Sequence, residues 1–174
     1  MGDSMEIHGY KTFHKGLKNR YGKQFLEKGI YTTSERLKFG NNGNGFHFCK
    51  RLEDTLRFFP AMEEPVDIAK ITALGDVVLS EDDYYGYYDM YCTNKIRIDK
   101  VMQRDEIIRM YLHLPDDRVI RFIQGFRLNP EEITLFRVRY GENERIQDAI
   151  SYYQEGIKDV YENKEKRKLL KRGK

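Results

Sequence analysis

The pattern of apolar and polar positions changes once along the chain, near residue 100. Up to that point, short apolar runs alternate with polar positions and are separated by Gly, Asn and Asp, which is typical of short β-strands joined by turns. The predicted strands are MEIHGYKTF, KGIYTTS, GFHFC and TNKIRI, with one or two more between Ile68 and Val78. The segment KRLEDTLRFF, which follows GFHFC, carries its leucines at helical spacing and predicts a helix that ends at Pro60.

After Lys100 the apolar residues recur at helical spacing in QRDEIIRMYLHL, DDRVIRFIQGF and NPEEITLFRVRYG, and again from Asn143 onward. The third of these segments has both helix boundaries, because Asn129 and Pro130 suit the start and Gly141 suits the residue beyond the end. We therefore predict an α+β fold, in which a small mixed or antiparallel sheet domain (residues 1–100) is followed by a helical C-terminal part (residues 101–163) packed on it.

The formal net charge of +3 is unevenly distributed. Residues 164–174 contain seven Lys or Arg and one Glu, so this segment carries +6 and residues 1–163 carry −3. The body of the chain therefore lacks the basic balance of a nucleic-acid-binding domain. We expect the last eleven residues to form a disordered basic tail, through which alone nucleic acid would bind.

Composition narrows the class of protein further. No apolar run approaches the roughly 20 residues that span a bilayer, and no signal-peptide core is visible, so we expect no membrane partner and a cytoplasmic location. Two cysteines, Cys49 and Cys92, suit a reducing compartment, although one disulfide between them stays open. The four histidines form no HxxxH or HExxH pattern, so we predict no metal site.

The stretch NGNGFHFCKRLEDTLRFF places His47 and Cys49 two positions apart on a predicted strand, and hence on one face of it. This spacing is compatible with a Cys–His nucleophilic pair and with ordinary packing, and we favour packing for His47. The preceding glycines do not form a phosphate-binding loop, because no Lys-Ser/Thr follows them. We predict a turn between two strands there.

Residues 81–91, EDDYYGYYDMY, combine four acids with five tyrosines around a single glycine. Tyrosine offers a large contact area at a low cost in side-chain entropy, and the acids would repel nucleic acid. This segment is either a hairpin tip whose tyrosines fold onto the sheet or a protein-contact surface. As the best candidates for a protein contact we name four tyrosines: Tyr84, Tyr85, Tyr87 and Tyr88.

Four motifs, GYKTF, GFHFC with its following helix, ALGDVV and TNKIRI, resemble a family of uncharacterised domains found in phage and bacterial genomes. The resemblance covers roughly residues 9–100 and implies a phage or mobile-element setting, without an established activity.

The same region is similar, at the level of the fold, to ADP-ribosyltransferases. Tyr10-Lys11 resembles the first element of that fold, GFHF with its following helix the second, and TNKIRIDKV the third. The resemblance implies a ligand site around Tyr10, Lys11, His47 and Asn94, with NAD as the cofactor. The chain departs from the pattern, since Lys11 replaces His or Arg, His47 replaces Tyr or Ser, and Asn94 or Lys95 replaces the catalytic Glu. Such a carboxylate would hydrogen-bond the ribose and stabilise the oxocarbenium-like transition state.

Two function classes follow. The first is a non-catalytic binding or interaction module, without a cofactor, that contacts an unknown protein partner. The alternative is an ADP-ribosyltransferase-like enzyme or a degenerate NAD- or nucleotide-binding pocket. The sequence leaves the partner and the oligomeric state, monomer or homo-oligomer, undetermined.

Overall fold

The structure, a computed structural model, describes residues 6–34, 36–37, 44–58, 61–79, 90–156 and 169–170. The chain divides into two compact units, Met1–Arg104 and Asp105–Lys174. Within the described residues, the first unit holds a seven-stranded antiparallel sheet and the second holds helices. The predicted α+β class, with an antiparallel sheet and a helical C-terminal part, is confirmed.

The sheet has the strand order β2-β7-β4-β1-β3-β6-β5, and all of its pairs are antiparallel. Its strands are β1 (Ile7–His14), β2 (Ile30–Thr32), β3 (Phe46–Cys49), β4 (Val66–Ala73), β5 (Val77–Leu79), β6 (Met90–Thr93) and β7 (Lys95–Val101). The central strand β1 pairs along its full length with β4, from Ile7 opposite Ala73 to His14 opposite Val66. A register shift between Lys70 and Ile71 interrupts the pairing of β4 with β7.

One face of the sheet carries the hydrophobic core of the first unit. Alternate residues of four strands point to this face and are buried there: Phe13, Phe46, Phe48, Ala69, Ile71, Ala73, Ile96 and Ile98. The segment between β1 and β2 covers the face by adding Leu17 and Phe25 to the cluster. The ring of Phe25 lies 5.2 Å from that of Phe13 and 4.7 Å from that of Tyr31, between centroids. Because side chains alternate along a strand, the odd-numbered residues of β1 point toward this core, and the even-numbered ones, including the buried Thr12, point to the other face.

The helices that follow the sheet are α2 (Arg104–Tyr111), α3 (Asp116–Gly125), α4 (Pro130–Arg139) and α5 (Glu144–Ala149), and all but the first residue of α2 belong to the second unit. Helix α5 continues as a π-helical turn over Ile150–Glu155. Stacked rings form the core of the second unit, and Tyr111 lies 3.8 Å from Phe122 between centroids. The buried side-chain amide of Gln154 is satisfied by hydrogen bonds, because its oxygen accepts from Leu128 N and its nitrogen donates to the carbonyls of Ile123 and Phe126. The predicted start of α4 is confirmed as a capping box between Asn129 and Glu132.

Two local features differ from the sequence prediction. The helix expected over KRLEDTLRFF is a single turn, α1 (Leu52–Thr55), followed by a 3-10 turn, Leu56–Phe58. Its N-cap residue Arg51 provides no side-chain cap, so the short helix depends on burial against β1 and β3 rather than on its own propensity. Strand β6 was not predicted, because its four residues follow directly on the acidic tyrosine segment and alternate too briefly to be recognised.

Candidate functional site

The central strands β1 and β3 are joined by one registered pair among the described residues, Tyr10 opposite Cys49. One step further, the Lys11 ammonium donates a hydrogen bond of 2.7 Å to the main-chain carbonyl of His47. A side-chain donor thus bonds a β3 carbonyl at the point where the ladder between the two strands ends. A buried carbonyl must find some donor, and here a lysine supplies it.

A small cavity opens at this seam between the two strands. Its volume is about 60 Å³. The residues that line it are Tyr10, Lys11, Thr12, His47, Phe48, Cys49, Thr55 and Met90. Three of the four predicted ligand residues, Tyr10, Lys11 and His47, therefore border one space, and His47 is half-buried in it.

Lys11 is the electrostatically unusual group of the cavity. Burial lowers its pKa from 10.5 to about 8, because an ammonium loses hydration there; the nearby thiols of Cys92 and Cys49 partly oppose this effect, and Arg20 adds to it. The ammonium also lies 5.5 Å from the centroid of the Phe13 ring. The site therefore holds a positive charge that neutralises more easily than that of an ordinary lysine.

The short helix α1 closes the cavity through a chain of hydroxyl groups. The Thr55 hydroxyl donates to the Leu52 carbonyl at 2.8 Å, so the 2.6 Å bond between Thr55 and Thr12 has Thr12 as its donor. Both threonines are buried. These bonds fix α1 to β1 and leave little freedom in the cavity wall. Neither threonine carries a signal in the sequence, since one lies within the strand pattern and the other within the helix pattern.

Asn94 lies outside this group of residues. It occupies the turn between β6 and β7, where its side-chain oxygen accepts from Asp76 N at 2.9 Å and its main-chain oxygen accepts from Thr33 N. A Cβ on Gly75 would clash with that side-chain oxygen, so the turn is closely packed. The geometry of Asn94 is that of a turn-stabilising residue, and it does not line the cavity.

The predicted protein-contact tyrosines and most of the basic tail fall outside the part of the chain that the structure describes. Tyr84, Tyr85, Tyr87 and Tyr88 lie outside the described residues, as does the basic tail apart from Leu169 and Leu170. No disulfide joins Cys49 to Cys92; both thiols are buried, and Cys92 donates to the Asn44 carbonyl at 3.1 Å.

A polar cluster on the face opposite the core was not foreseen. The Thr72 hydroxyl donates to Asp99 at 2.6 Å and accepts from Arg97 Nη2 at 3.2 Å, so His8 Nδ1, 3.0 Å away, must carry a proton and donate to Thr72 as well. The hydrogen bond and charge of Asp99 raise the pKa of Arg97. The cluster ties β1, β4 and β7 together through side chains.

The described part of the chain contains neither a group of metal ligands nor a membrane-spanning helix. No three His, Cys, Asp or Glu residues of that part are grouped so that they could hold a metal ion. None of its helices is long and apolar enough to cross a membrane.

A family model described as a domain of unknown function, DUF7666, matches residues 7–110. The match spans more than half of the chain and includes the whole sheet, and the protein belongs to this family. The search of curated proteins and the search of solved structures each found no match.

Proposed function

We propose that this member of the DUF7666 family is a non-catalytic binding module that acts by contacting another macromolecule, and that it serves in a phage or mobile-element setting in the cytoplasm. The size of the cavity at Lys11 carries the proposal. Pockets that hold small ligands and cofactors usually measure roughly 300–1,000 Å³, against about 60 Å³ here. This volume suits a few water molecules, since roughly 10–15 Å³ of such free space holds one.

The lining of the cavity supports the same conclusion. None of the eight described residues that border it is an acid. Transfer of ADP-ribose needs a carboxylate against the ribose as positive charge develops at the reacting carbon. The ammonium of Lys11, which borders the cavity, would instead repel positive charge that develops there.

The alternative function, an ADP-ribosyltransferase-like enzyme or a degenerate nucleotide pocket, is favoured by one observation. Tyr10, Lys11 and His47, which the resemblance assigns to ligand binding, border a common space. Lys11 could hold a phosphate oxygen there, whereas Asn94 would have to act from outside the cavity lining. The enzyme hypothesis predicts that the protein releases nicotinamide from NAD and that Lys11→Ala or His47→Ala abolishes this release.

A thermal-shift series against NAD, ADP-ribose and nicotinamide separates the two functions. A ligand that binds only the folded chain stabilises it by RT ln(1 + [L]/Kd), about 2.7 kcal/mol at a hundredfold excess over Kd. We expect no shift with any of the three at millimolar concentration, because the cavity is too small.

Two variants make this series informative. His47→Ala changes the lining of the cavity. His14→Ala is the control, because His14 is a half-buried histidine of the same sheet that does not line the cavity. A shift with NAD that disappears in His47→Ala and persists in His14→Ala would contradict the binding-module proposal and favour the enzyme.

The binding surface itself is proposed to include the four tyrosines of the acidic segment. Replacement of Tyr84, Tyr85, Tyr87 and Tyr88 by Ser should then abolish partner binding. A minor contribution from nucleic acid at the basic tail is tested by deletion of residues 164–174, which should matter only if nucleic acid is the partner.

A further inference from the structure

The segment between β1 and β2, taken together with the first residue of β2 (residues 15–30), is strongly basic. It contains five Lys or Arg and one acid, Glu27, so it carries a net charge of +4. Glu27 is engaged by Val101 N at 2.9 Å, and Lys15 pairs with Asp67 at 3.0 Å. Lys18, Arg20 and Lys28 are exposed and make no ion pair with any side chain of the described part of the chain. We call residues 15–30 the basic loop.

The basic loop also exposes large apolar side chains. Tyr21 is 73% exposed, Leu26 63% and Ile30 55%, although the same loop buries Leu17 and Phe25 in the core. These three side chains lie within ten residues of chain that also carry exposed Lys and Arg side chains, and exposed apolar groups with polar groups at their rim are typical of an interaction surface. The loop therefore offers both cationic and apolar contacts.

The basic loop is held in one shape before any partner arrives. Asp67 accepts hydrogen bonds from Gly16 N and Leu17 N at 2.7 and 3.1 Å, and Asn19 Oδ1 accepts from Tyr21 N and Lys23 N. Burial alone would raise the pKa of Asp67, but the bonds from Lys15, Gly16 and Leu17 outweigh it and hold that pKa below its usual value. A surface organised in this way loses little conformational entropy on binding.

The chain itself contains a segment with the complementary chemistry. Residues 81–89 carry four acids, four tyrosines and no basic residue, a charge of −4 against the +4 of the basic loop. We infer that the basic loop binds the acidic tyrosine segment, residues 81–89, of a second copy of this chain. Carboxylates would pair with Lys18 and Arg20, and tyrosine rings would cover Tyr21 and Leu26.

A second copy is the occupant that this composition fits best. In a two-fold symmetric dimer, the loop of each protomer meets the segment of the other, so the same contact forms twice. Opposite charges of equal size also steer the two surfaces together and disfavour the pairing of like with like. The inference rests on the proposed function, since it names the partner of the binding module.

Sedimentation equilibrium of the full chain tests the inference. We expect a dimer at about 0.1 M salt, where charges act over roughly 10 Å, and a shift toward monomer at about 1 M, where they act over roughly 3 Å. The double variant Lys18→Glu and Arg20→Glu brings the loop charge to zero and should be monomeric at both salt concentrations. The matched control, Lys95→Glu and Arg145→Glu, changes two exposed residues elsewhere by the same charge and should dimerise like the wild type.

A mixing experiment identifies the two partners of the contact. The variant Glu81→Gln, Asp82→Asn, Asp83→Asn and Asp89→Asn keeps the basic loop but neutralises the segment, and alone it should be monomeric. Mixed with the loop variant, it should form a heterodimer, because one loop and one intact segment remain.

Three outcomes would overturn the inference: a monomeric wild type at low salt, a mixture that does not associate, or a monomer whose basic loop binds single-stranded DNA instead. None of them touches the binding-module proposal, which fails on the separate result of a shift with NAD.

Discussion

The Lys11→Met variant should lose a pH dependence of stability that the wild-type protein shows between pH 8 and pH 10.5. The folded pKa of Lys11 is about 8, below the 10.5 of an exposed lysine. In this window the unfolded chain therefore holds a proton on Lys11 that the folded chain has released. Stability rises with pH wherever the unfolded state binds more protons, so the free energy of unfolding of the wild type should increase from pH 8 to pH 10.5.

The magnitude of the Lys11 effect follows from the same two pKa values. Each pKa unit corresponds to about 1.4 kcal/mol, so the full gain is on the order of 3 kcal/mol. Below pH 8 the Lys11 ammonium is charged in both states, and its burial lowers the free energy of unfolding by the full amount. Above pH 10.5 the amine is neutral in both states, and this destabilisation is absent. The hydrogen bond to the His47 carbonyl survives the change, because a neutral amine still donates.

Urea unfolding of wild type and Lys11→Met at pH 7, 8, 9 and 10 measures the effect, since the titration of all other groups cancels in the difference. Lys18→Met, which removes an exposed lysine of the same type, should follow the wild type at every pH. Parallel curves for wild type and Lys11→Met would show that the Lys11 ammonium is hydrated and would remove the electrostatic account of the cavity.

The strands and helices could be predicted because they depend on periods in the sequence. The alternation in β7 and the helical spacing in α3 both survive in the structure, since each of these elements buries the face that its pattern marks. The start of α4 could be predicted from Asn129 and Pro130 because a helix cap is a local interaction. The prediction of one or two strands between Ile68 and Val78 also agrees with β4 and β5.

The candidate site could be predicted only where its residues share a strand or a motif. Lys11 lies on the core side of β1, yet its ammonium reaches a β3 carbonyl 36 residues away, and no local pattern reports such a contact. The pairing of Thr12 with Thr55 is equally remote in sequence. Asn94 shows the opposite case, because the resemblance to ADP-ribosyltransferases implied a ligand role for it, whereas its bonds to Asp76 serve the turn.

The largest loss of stability among single substitutions at the site should come from Gly9→Ala. A Cβ at position 9 would lie 2.5 Å from the main-chain oxygen of Cys49 and 2.8 Å from a ring carbon of Phe48. The oxygen belongs to the neighbouring strand, so it can give way only if β1 and β3 move apart where Tyr10 pairs with Cys49. Overpacking of this kind costs typically 1–3 kcal/mol and occasionally more, and we expect about 3 kcal/mol because the obstacle is backbone.

Gly16→Ala is the matched control. Gly16 has φ +87°, and no atom outside its own neighbourhood in the chain lies within 4 Å of the place that an added methyl group would take. The substitution therefore costs conformational strain of about 1 kcal/mol but causes no clash. Thermal and urea unfolding of the two variants should thus separate close approach from backbone conformation. Separation of the strands would also hydrate Lys11, so Gly9→Ala should weaken the rise in stability between pH 8 and 10.5. A Gly9→Ala protein as stable as Gly16→Ala, with the pH dependence intact, would mean that the seam between β1 and β3 is loose enough to admit a side chain, and the cavity there could then expand to receive a ligand.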